Sequence, residues 1–280
     1  MFFILFICII VFCGTVWLLT EPYCIKIKNI ELSYSFLPSA FEGFSVLFLA
    51  DIHTAKWGFF EKCLCRKLKE TRESDICVLG GDLAYTESVT DNIPKILENA
   101  KIRGGVYAVF GNTEYKSHNR SRKLAEIYKS FGYTVLRNEN CEIRKGDDFI
   151  SLIGLDDPIN MLDDTEEAFA GVREGGFRIL VSHCPSMAAD GLDYGVNLTL
   201  AGHTHGGQVK LPFCTVYTHM NKNKFLNTGI WSAGRIGKKL KRKVEDFNLI
   251  ITNGLGTSKL WIRFCAPPQI YRITLRKKQR

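Results

Sequence analysis

The chain has 280 residues, 37 Lys+Arg against 29 Asp+Glu for a formal charge of +8, and 46% hydrophobic residues. That length suits one domain of about 230–250 residues plus a tail, enough to bury a real core. The positive balance favours anionic partners such as phosphates, nucleic acid or acidic lipid surfaces. The ten cysteines lack the look of a disulfide framework, and several sit inside apolar patterns, so they read as buried free thiols in a reducing compartment.

Met1 to Thr20 carry no charged side chain and are almost entirely apolar. As a helix they would span about 30 Å, the thickness of a bilayer's hydrocarbon core. No Lys or Arg precedes the run, nothing like Ala-x-Ala follows it, and Phe12 before Cys13 is too bulky for lipoprotein processing. A retained anchor is therefore expected over residues 1–20. Lys26, Lys28 and a basic body follow it, which by the positive-inside tendency keeps the body cytoplasmic. Residues 21–41 read as a connector with one strand at Cys24–Leu32, where Ile25, Ile27 and Ile30 alternate with polar residues.

From residue 42 to 280 the pattern is that of one layered α/β domain, in which short apolar runs alternate with helical stretches. Phe44–Ala50 ends in Asp51-Ile52-His53, and a helix over Phe59–Arg72 follows with Leu64 and Leu68 one turn apart. Asp75–Leu79 ends in Gly80-Gly81-Asp82. A second helix, Val89–Ala100, has Pro94 in its first turn. Val106–Phe110 ends in Gly111-Asn112-Thr113-Glu114, before a helix at Arg120–Phe131 with Leu124, Ile127, Tyr128 and Phe131 expected on its core face. Phe149–Leu155 ends in Asp156-Asp157-Pro158, read first as turn chemistry and second as a contact to metal or substrate, and Thr165 starts a short helix. Phe177–Ser182 ends in His183. Leu198–Ala201 ends in Gly202-His203-Thr204-His205-Gly206-Gly207. A strand at Val209–Phe213, a basic insertion over residues 217–244, and closing strands at Phe247–Thr252 and Gln269–Leu275 complete the chain.

Five of these strand patterns stop at once on a metal-capable residue, at the end of the strand where α/β folds assemble their sites. In an extended loop, residues two apart project the same way, so His203 and His205 can converge on a metal pair. Five unrelated turn residues would have to repeat the same coincidence five times.

The series Asp51-x-His53, Gly81-Asp82, Gly111-Asn112, His183 and Gly202-His203-x-His205 resembles the calcineurin-like metallophosphoesterase superfamily over roughly residues 42–275. The resemblance implies a β-sandwich flanked by helices. It implies one metal held by Asp51, His53 and His205, and a second by Asn112, His183 and His203. Asp82 would bridge them by offering one oxygen to each, and Asp82, Asn112 and His183 would also serve catalysis. The residue types suit two divalent ions, Mn²⁺ first, with Fe, Zn, Co or Mg as alternatives.

Most of the superfamily follows the Asn with a proton-donating His; here Thr113 stands in that place. A threonine hydroxyl is too weak an acid to replace imidazolium. Either His118 or His219 substitutes, or the leaving group needs no proton, as in cleavage of a phosphoanhydride. Thr252-Asn-Gly-Leu-Gly-Thr-Ser258 and Arg263-Phe-Cys-Ala-Pro-Pro-Gln-Ile270 resemble a membrane-linked bacterial branch. That branch includes one form of the UDP-2,3-diacylglucosamine pyrophosphatase of lipid A synthesis, whose products are lipid X and UMP.

The expected function is hydrolysis of such a lipid-linked nucleotide at the bacterial inner membrane. Hydrolysis of other phosphodiesters or phosphomonoesters, or a non-catalytic interaction module, are the alternatives. The basic run Lys238, Lys239, Lys241, Arg242 and Lys243 follows the His203–His205 loop and is expected on the site-bearing face, against an anionic membrane surface. It lacks interleaved aromatics for base stacking, which disfavours nucleic acid as partner.

Overall fold

The computed structural model describes residues 1–86, 91–211, 214–217 and 226–278. His219 and the expected helix start at Val89 lie outside them. The first helix, α1 (Phe2–Thr20), is apolar on every side and has no buried residue. With 19 residues it is about 28 Å long, and the segment Phe2–Tyr23 has a mean hydropathy of 2.9. It is a candidate membrane anchor.

The body is two six-stranded sheets packed face to face with helices outside each. The first sheet has β1 (Lys26–Tyr34), β2 (Ser45–Leu49), β3 (Ile76–Gly80), β4 (Val106–Val109), β5 (Thr134–Val135) and β14 (Gln269–Lys277). Their order is β1-β14-β2-β3-β4-β5. The second sheet has β6 (Glu139–Lys145), β7 (Asp148–Gly154), β8 (Phe177–Val181), β9 (Leu198–Ala201), β12 (Gly229–Ser232) and β13 (Asn248–Ile251). Their order is β12-β13-β9-β8-β7-β6. β10 (Val209–Leu211) and β11 (Cys214–Tyr217) pair antiparallel in a small sheet of their own.

The central strands are buried on both faces, which is why they read as unbroken apolar runs rather than as alternation. In β2, Val46 and Phe48 point between the sheets, meeting Ile179, Leu198, Leu200 and Ile250. Leu47 and Leu49 point outward to α2 (Phe59–Lys69), α3 (Asn92–Leu97) and α4 (His118–Ser130). On the second sheet, Leu180, Leu249 and Ile251 face α5 (Thr165–Phe169), α6 (Ala188–Asp193) and α7 (Ala233–Leu240). Each such fully buried aliphatic side chain contributes about 1.5–3 kcal/mol relative to exposure.

Two organisational expectations change. The strand expected at Cys24–Leu32 is present as β1, but the stretch is part of the sheet and not a connector, as β1 pairs with β14 from Lys26↔Gln269 to Tyr34↔Lys277. Its alternating isoleucines therefore serve the first sheet rather than a linker. The described part of the 217–244 stretch is also integral. β12 forms the edge of the second sheet against β13, and Trp231 and Ile236 close the core beneath α7.

Strand direction fixes where things sit. β2, β3 and β4 are parallel to one another, as are β7, β8, β9 and β13. Their carboxyl ends share one end of the sandwich, where the sheets' two sets of loops meet across the candidate ligands. β14 is antiparallel to β2 and parallel to β1, so β1 begins at that same end. α1 therefore joins the domain at the end that bears the candidate ligands.

The basic run goes the other way. β12 leaves the site end, α7 follows, and residues 241–247 lead into the amino end of β13, as do residues 195–197 into β9. Arg242 pairs with Asp193 at 2.6 Å and with the Ala189 carbonyl at 2.7 Å. Lys243 pairs with Glu245 at 2.8 Å. The expectation that Arg242 and Lys243 share the site's face, with Lys238, Lys239 and Lys241 beside them in α7 and at its end, is corrected. Sequence order placed the run after the His loop, but an antiparallel edge strand carries the chain to the opposite end first.

Candidate metal centre

The turns after β2 and β3 are zipped together by Asp51 N–H to the Gly81 carbonyl (2.9 Å) and His53 N–H to the Asp82 carbonyl (3.0 Å). The turn after β9 closes on them, as His203 N–H donates to both Asp51 carboxylate oxygens at 3.1 Å. Behind Asp51, the Gly256 N–H donates to its carbonyl at 2.6 Å. Five candidate ligands hold left-handed backbone: Asp51 (φ 52°), His53 (49°), Asp82 (51°), His203 (67°) and His205 (49°). This is uncommon for side-chain-bearing residues and concentrates where structure around a site over-determines it.

Seven side chains come from five strand ends. His53 Nε2 and His205 Nε2 are 3.1 Å apart, and His205 Nε2 is 3.5 Å from Asp51 Oδ1. His183 Nε2 and His203 Nδ1 are 3.2 Å apart. Asp82 Oδ2 stands between the two groups, 3.5 Å from His53 Nε2 and 3.4 Å from His183 Nε2. One Asp82 oxygen, Oδ2, faces both groups, because Oδ1 accepts the Thr113 N–H at 2.8 Å. Asn112 lies in the turn after β4, its Oδ1 buried without a hydrogen-bond partner.

Two divalent cations fit this arrangement. Ligands about 2.1 Å from a common ion lie about 3.0–3.4 Å from one another, and these nitrogens and oxygens are 3.1–3.5 Å apart. The buried, unsatisfied Asn112 carbonyl oxygen is the kind of group an ion would complete. Asp51 with His53 and His205, and Asp51 with Asp82 and His183, form compact buried donor groups. His183 Nδ1 faces the Gly80 carbonyl at 2.9 Å, which turns Nε2 to the cluster, where it would serve a metal as ligand.

The electrostatics also call for positive charge. Burial pushes the Asp51 carboxyl up to about 7, with the Asp82 charge adding to it and His183 opposing. Burial acts the same way on Asp82, but His183 and His53 outweigh it and hold that carboxyl well below its usual range. His183 is raised to about 10: burial would lower it, and the Asp82 and Asp51 carboxylates more than reverse that. Close-set carboxylates thus draw a proton onto a histidine, a place a metal cation would take.

Two residues that support the cluster escaped sequence reasoning. Glu114, fully buried, accepts N–H groups from Leu83 (2.7 Å), Gly111 (2.8 Å) and Asp82 (2.9 Å). It binds the β3 and β4 turns into one unit. Burial raises its carboxyl to about 7, the Asp82 charge adding and the Gly111 N–H opposing. Arg263, also fully buried, donates to the carbonyls of Ala266 (2.7 Å), Asn253 (2.8 Å) and Gly256 (3.2 Å). Its Nη2 lies 3.4 Å from His205 Nδ1, and its backbone N–H donates to the Leu18 carbonyl of α1 at 3.0 Å. The signal for both was their place in quoted motifs, but neither residue type reads as core.

Of the spare histidines, His118 opens α4 and His219 lies outside the described residues. Asp157 performs the turn chemistry expected of it, accepting the Ile159 and Asn160 N–H groups at 3.2 and 3.0 Å.

Residues 44–207 match the family model described as calcineurin-like phosphoesterase. The chain is similar to the uncharacterized metallophosphoesterase YkuE of Bacillus subtilis (strain 168), with 27% identity over 266 residues, 91% of this chain and 87% of that one. The uncharacterized protein YpbG of the same organism is 31% identical over 238 residues, 82% of this chain and 80% of its own. A transmembrane protein with metallophosphoesterase domain from Bos taurus is 32% identical over 200 residues, 65% of this chain and 45% of its own. With the family model spanning more than half of its length and a buried Asp/His cluster at the matched strand ends, the chain belongs to the calcineurin-like phosphoesterases, metal-dependent hydrolases of phosphoesters.

Proposed function

We propose that this protein is a membrane-anchored hydrolase of a phosphoanhydride, and that its substrate is a lipid-linked nucleotide such as UDP-2,3-diacylglucosamine, cleaved to lipid X and UMP. The observation that carries the reading is Thr113. It occupies the position beside Asn112 where an imidazolium would protonate a leaving alcohol. The residue is 2% exposed, and its N–H is committed to Asp82. A nucleotide phosphate leaves as a stabilised anion and needs no such acid.

In this reading Asp51, His53 and His205 hold one cation, Asn112, His183 and His203 the other, and Asp82 both, with Mn²⁺ the first candidate. When bound, such a pair supplies Lewis-acid stabilisation of phosphoryl oxygens and activation of water. The protein's own part is preorganisation. Thr113 N–H fixes the Asp82 carboxylate, Gly80 orients His183, and the Glu114 ties keep the two turns in register. The apolar α1 supports a membrane anchor, and Lys26 and Lys28 after it support the reading of a cytoplasmic domain at the inner membrane.

The test is full-length protein in lipid vesicles with UDP-2,3-diacylglucosamine, a long-chain alkyl phosphomonoester and bis(p-nitrophenyl) phosphate, each with Mn²⁺, Mg²⁺, Zn²⁺ or Co²⁺. The reading expects UMP release at a kcat/KM at least about 100-fold above that for the alkyl monoester. Preferential hydrolysis of the monoester would overturn it in favour of a phosphatase.

A further inference from the structure

Beyond α1 toward the carboxyl terminus, eleven large apolar side chains are exposed among the described residues. Two of them, Phe36 after β1 and Phe131 after α4, lie at the end away from the metal centre. The other nine lie on segments that follow the carboxyl ends of β2, β3, β7, β9 and β13. Trp57 and Phe59 follow the His53 turn, and Tyr85 stands edge-on to His53 with ring centroids 6.0 Å apart. Met161, 87% exposed, lies in the turn after β7, and Leu260, 63% exposed, follows β13 beside Trp261. A soluble surface scatters such residues singly; here they gather around one end.

That end is also where α1 arrives, and the contact is continuous. Trp17 of α1 meets Phe264 at 5.4 Å between ring centroids. Just past the helix, Tyr23 meets Phe59 at 5.1 Å and Trp261 at 6.0 Å. Trp261 rests in turn on buried Phe60 at 5.0 Å. Aromatic rings of this kind favour the headgroup layer, where one end of the side chain is apolar and the other wet. Exposed Lys56, Lys116 and Lys259 stand among them, and such cations near an anionic leaflet add attraction.

We propose that the whole ligand-bearing end, and not α1 alone, rests on the bilayer interface, with the membrane's lipid as its occupant. The mouth of the metal centre then opens within the headgroup layer, and a phosphate-bearing lipid reaches it without leaving the membrane. The substrate clause rests on the hydrolase reading above; the docking clause does not.

The experiment uses full-length protein in phosphatidylethanolamine–phosphatidylglycerol vesicles. With Trp17→Phe and Trp231→Phe in place, emission comes from Trp57 and Trp261 alone. Lipids brominated in the upper acyl chain are expected to halve that emission or more, while aqueous iodide quenches it little. Strong iodide quenching with no effect of bromine would overturn the proposal. So would shielding from both quenchers together with a cross-linked dimer, which would mean that a second copy covers the face. The paired variant Met161→Asp/Leu260→Asp should lose at least tenfold in turnover of the vesicle-borne lipid nucleotide. Its turnover of soluble bis(p-nitrophenyl) phosphate should stay within twofold. Equal activities of variant and parent on both substrates would count against docking. If the parent hydrolyses neither, the hydrolase reading fails and the quenching result still decides the docking.

Discussion

Replacing Arg263 by lysine tests whether the loop behind the metal centre is held by one planar fork. The guanidinium reaches the carbonyls of Ala266, Asn253 and Gly256 in different directions at 2.7, 2.8 and 3.2 Å, with no exposure to water. An ammonium keeps the charge but is a point donor that satisfies one or two of these partners at most. Two carbonyls left buried without donors cost about 1–3 kcal/mol each. The ammonium's position is weaker for a second reason: burial already lowers the Arg263 pKa to about 10, against the pull of Asp51 and Glu21. Taking about 4 kcal/mol as the loss, a domain of this size melts about 8–16 °C lower. Thermal unfolding of the full-length variant in micelles, followed by circular dichroism, reads that shift, and elemental analysis reads metal content. His205 lies directly against the fork, so metal content should fall with stability. A loss below about 1 kcal/mol with unchanged metal would refute the reasoning, because the carbonyls would then be satisfied without Arg263.

Asp82→Ala removes the oxygen shared by both donor groups; turnover should drop at least about 1,000-fold and elemental analysis should find one metal or fewer per chain. Gly111→Ala places a methyl 2.5 Å from Asp82 Oδ1 and 2.7 Å from His183 Cγ; activity should fall more than about tenfold, and a variant as active as the parent would show that the turn shifts freely. Thr113→Ala keeps the backbone donor to Asp82 and deletes only a hydroxyl, so kcat on a phosphoanhydride should change less than about tenfold. Complete loss of kcat there would give the hydroxyl a role that its lack of a hydrogen-bond partner does not suggest.

The positions of the candidate ligands were legible because the chemistry is punctuated. A short strand buried on both faces can end only on a turn, and a polar metal-capable residue placed there at once, as at Asp51, Asp82 and His183, stands out against the run before it. The helices were legible to within a few residues: α2 ends at Lys69 rather than Arg72, and α3 is shorter than expected, Asn92–Leu97 with Pro94 in its first turn. What was hidden depends on direction and depth. Nothing local tells that β12 runs away from the site, so the basic run could not be placed from its order in the chain. Nor does an arginine in a loop declare that it is buried. Arg263 combines the charges of Glu21 and Asp51 with carbonyls of the 253–256 loop and of Ala266, and that convergence exists only in the folded domain. That one Asp82 oxygen faces both donor groups was invisible for the same reason, since a backbone amide 31 residues away holds the other oxygen.

The five left-handed turns of the metal centre have a consequence for stability. A non-glycine residue held there costs on the order of 1 kcal/mol, so Asp51, His53, Asp82, His203 and His205 together store about 5 kcal/mol. That is comparable to the whole margin by which a domain of this kind stays folded. The metal-free chain is accordingly a cocked spring, inclined to relax its loops, and cations that bind only the folded form hold it shut by mass action. Selection for thermal robustness alone would drift these positions to glycine and asparagine, giving a hardier protein with no metal centre.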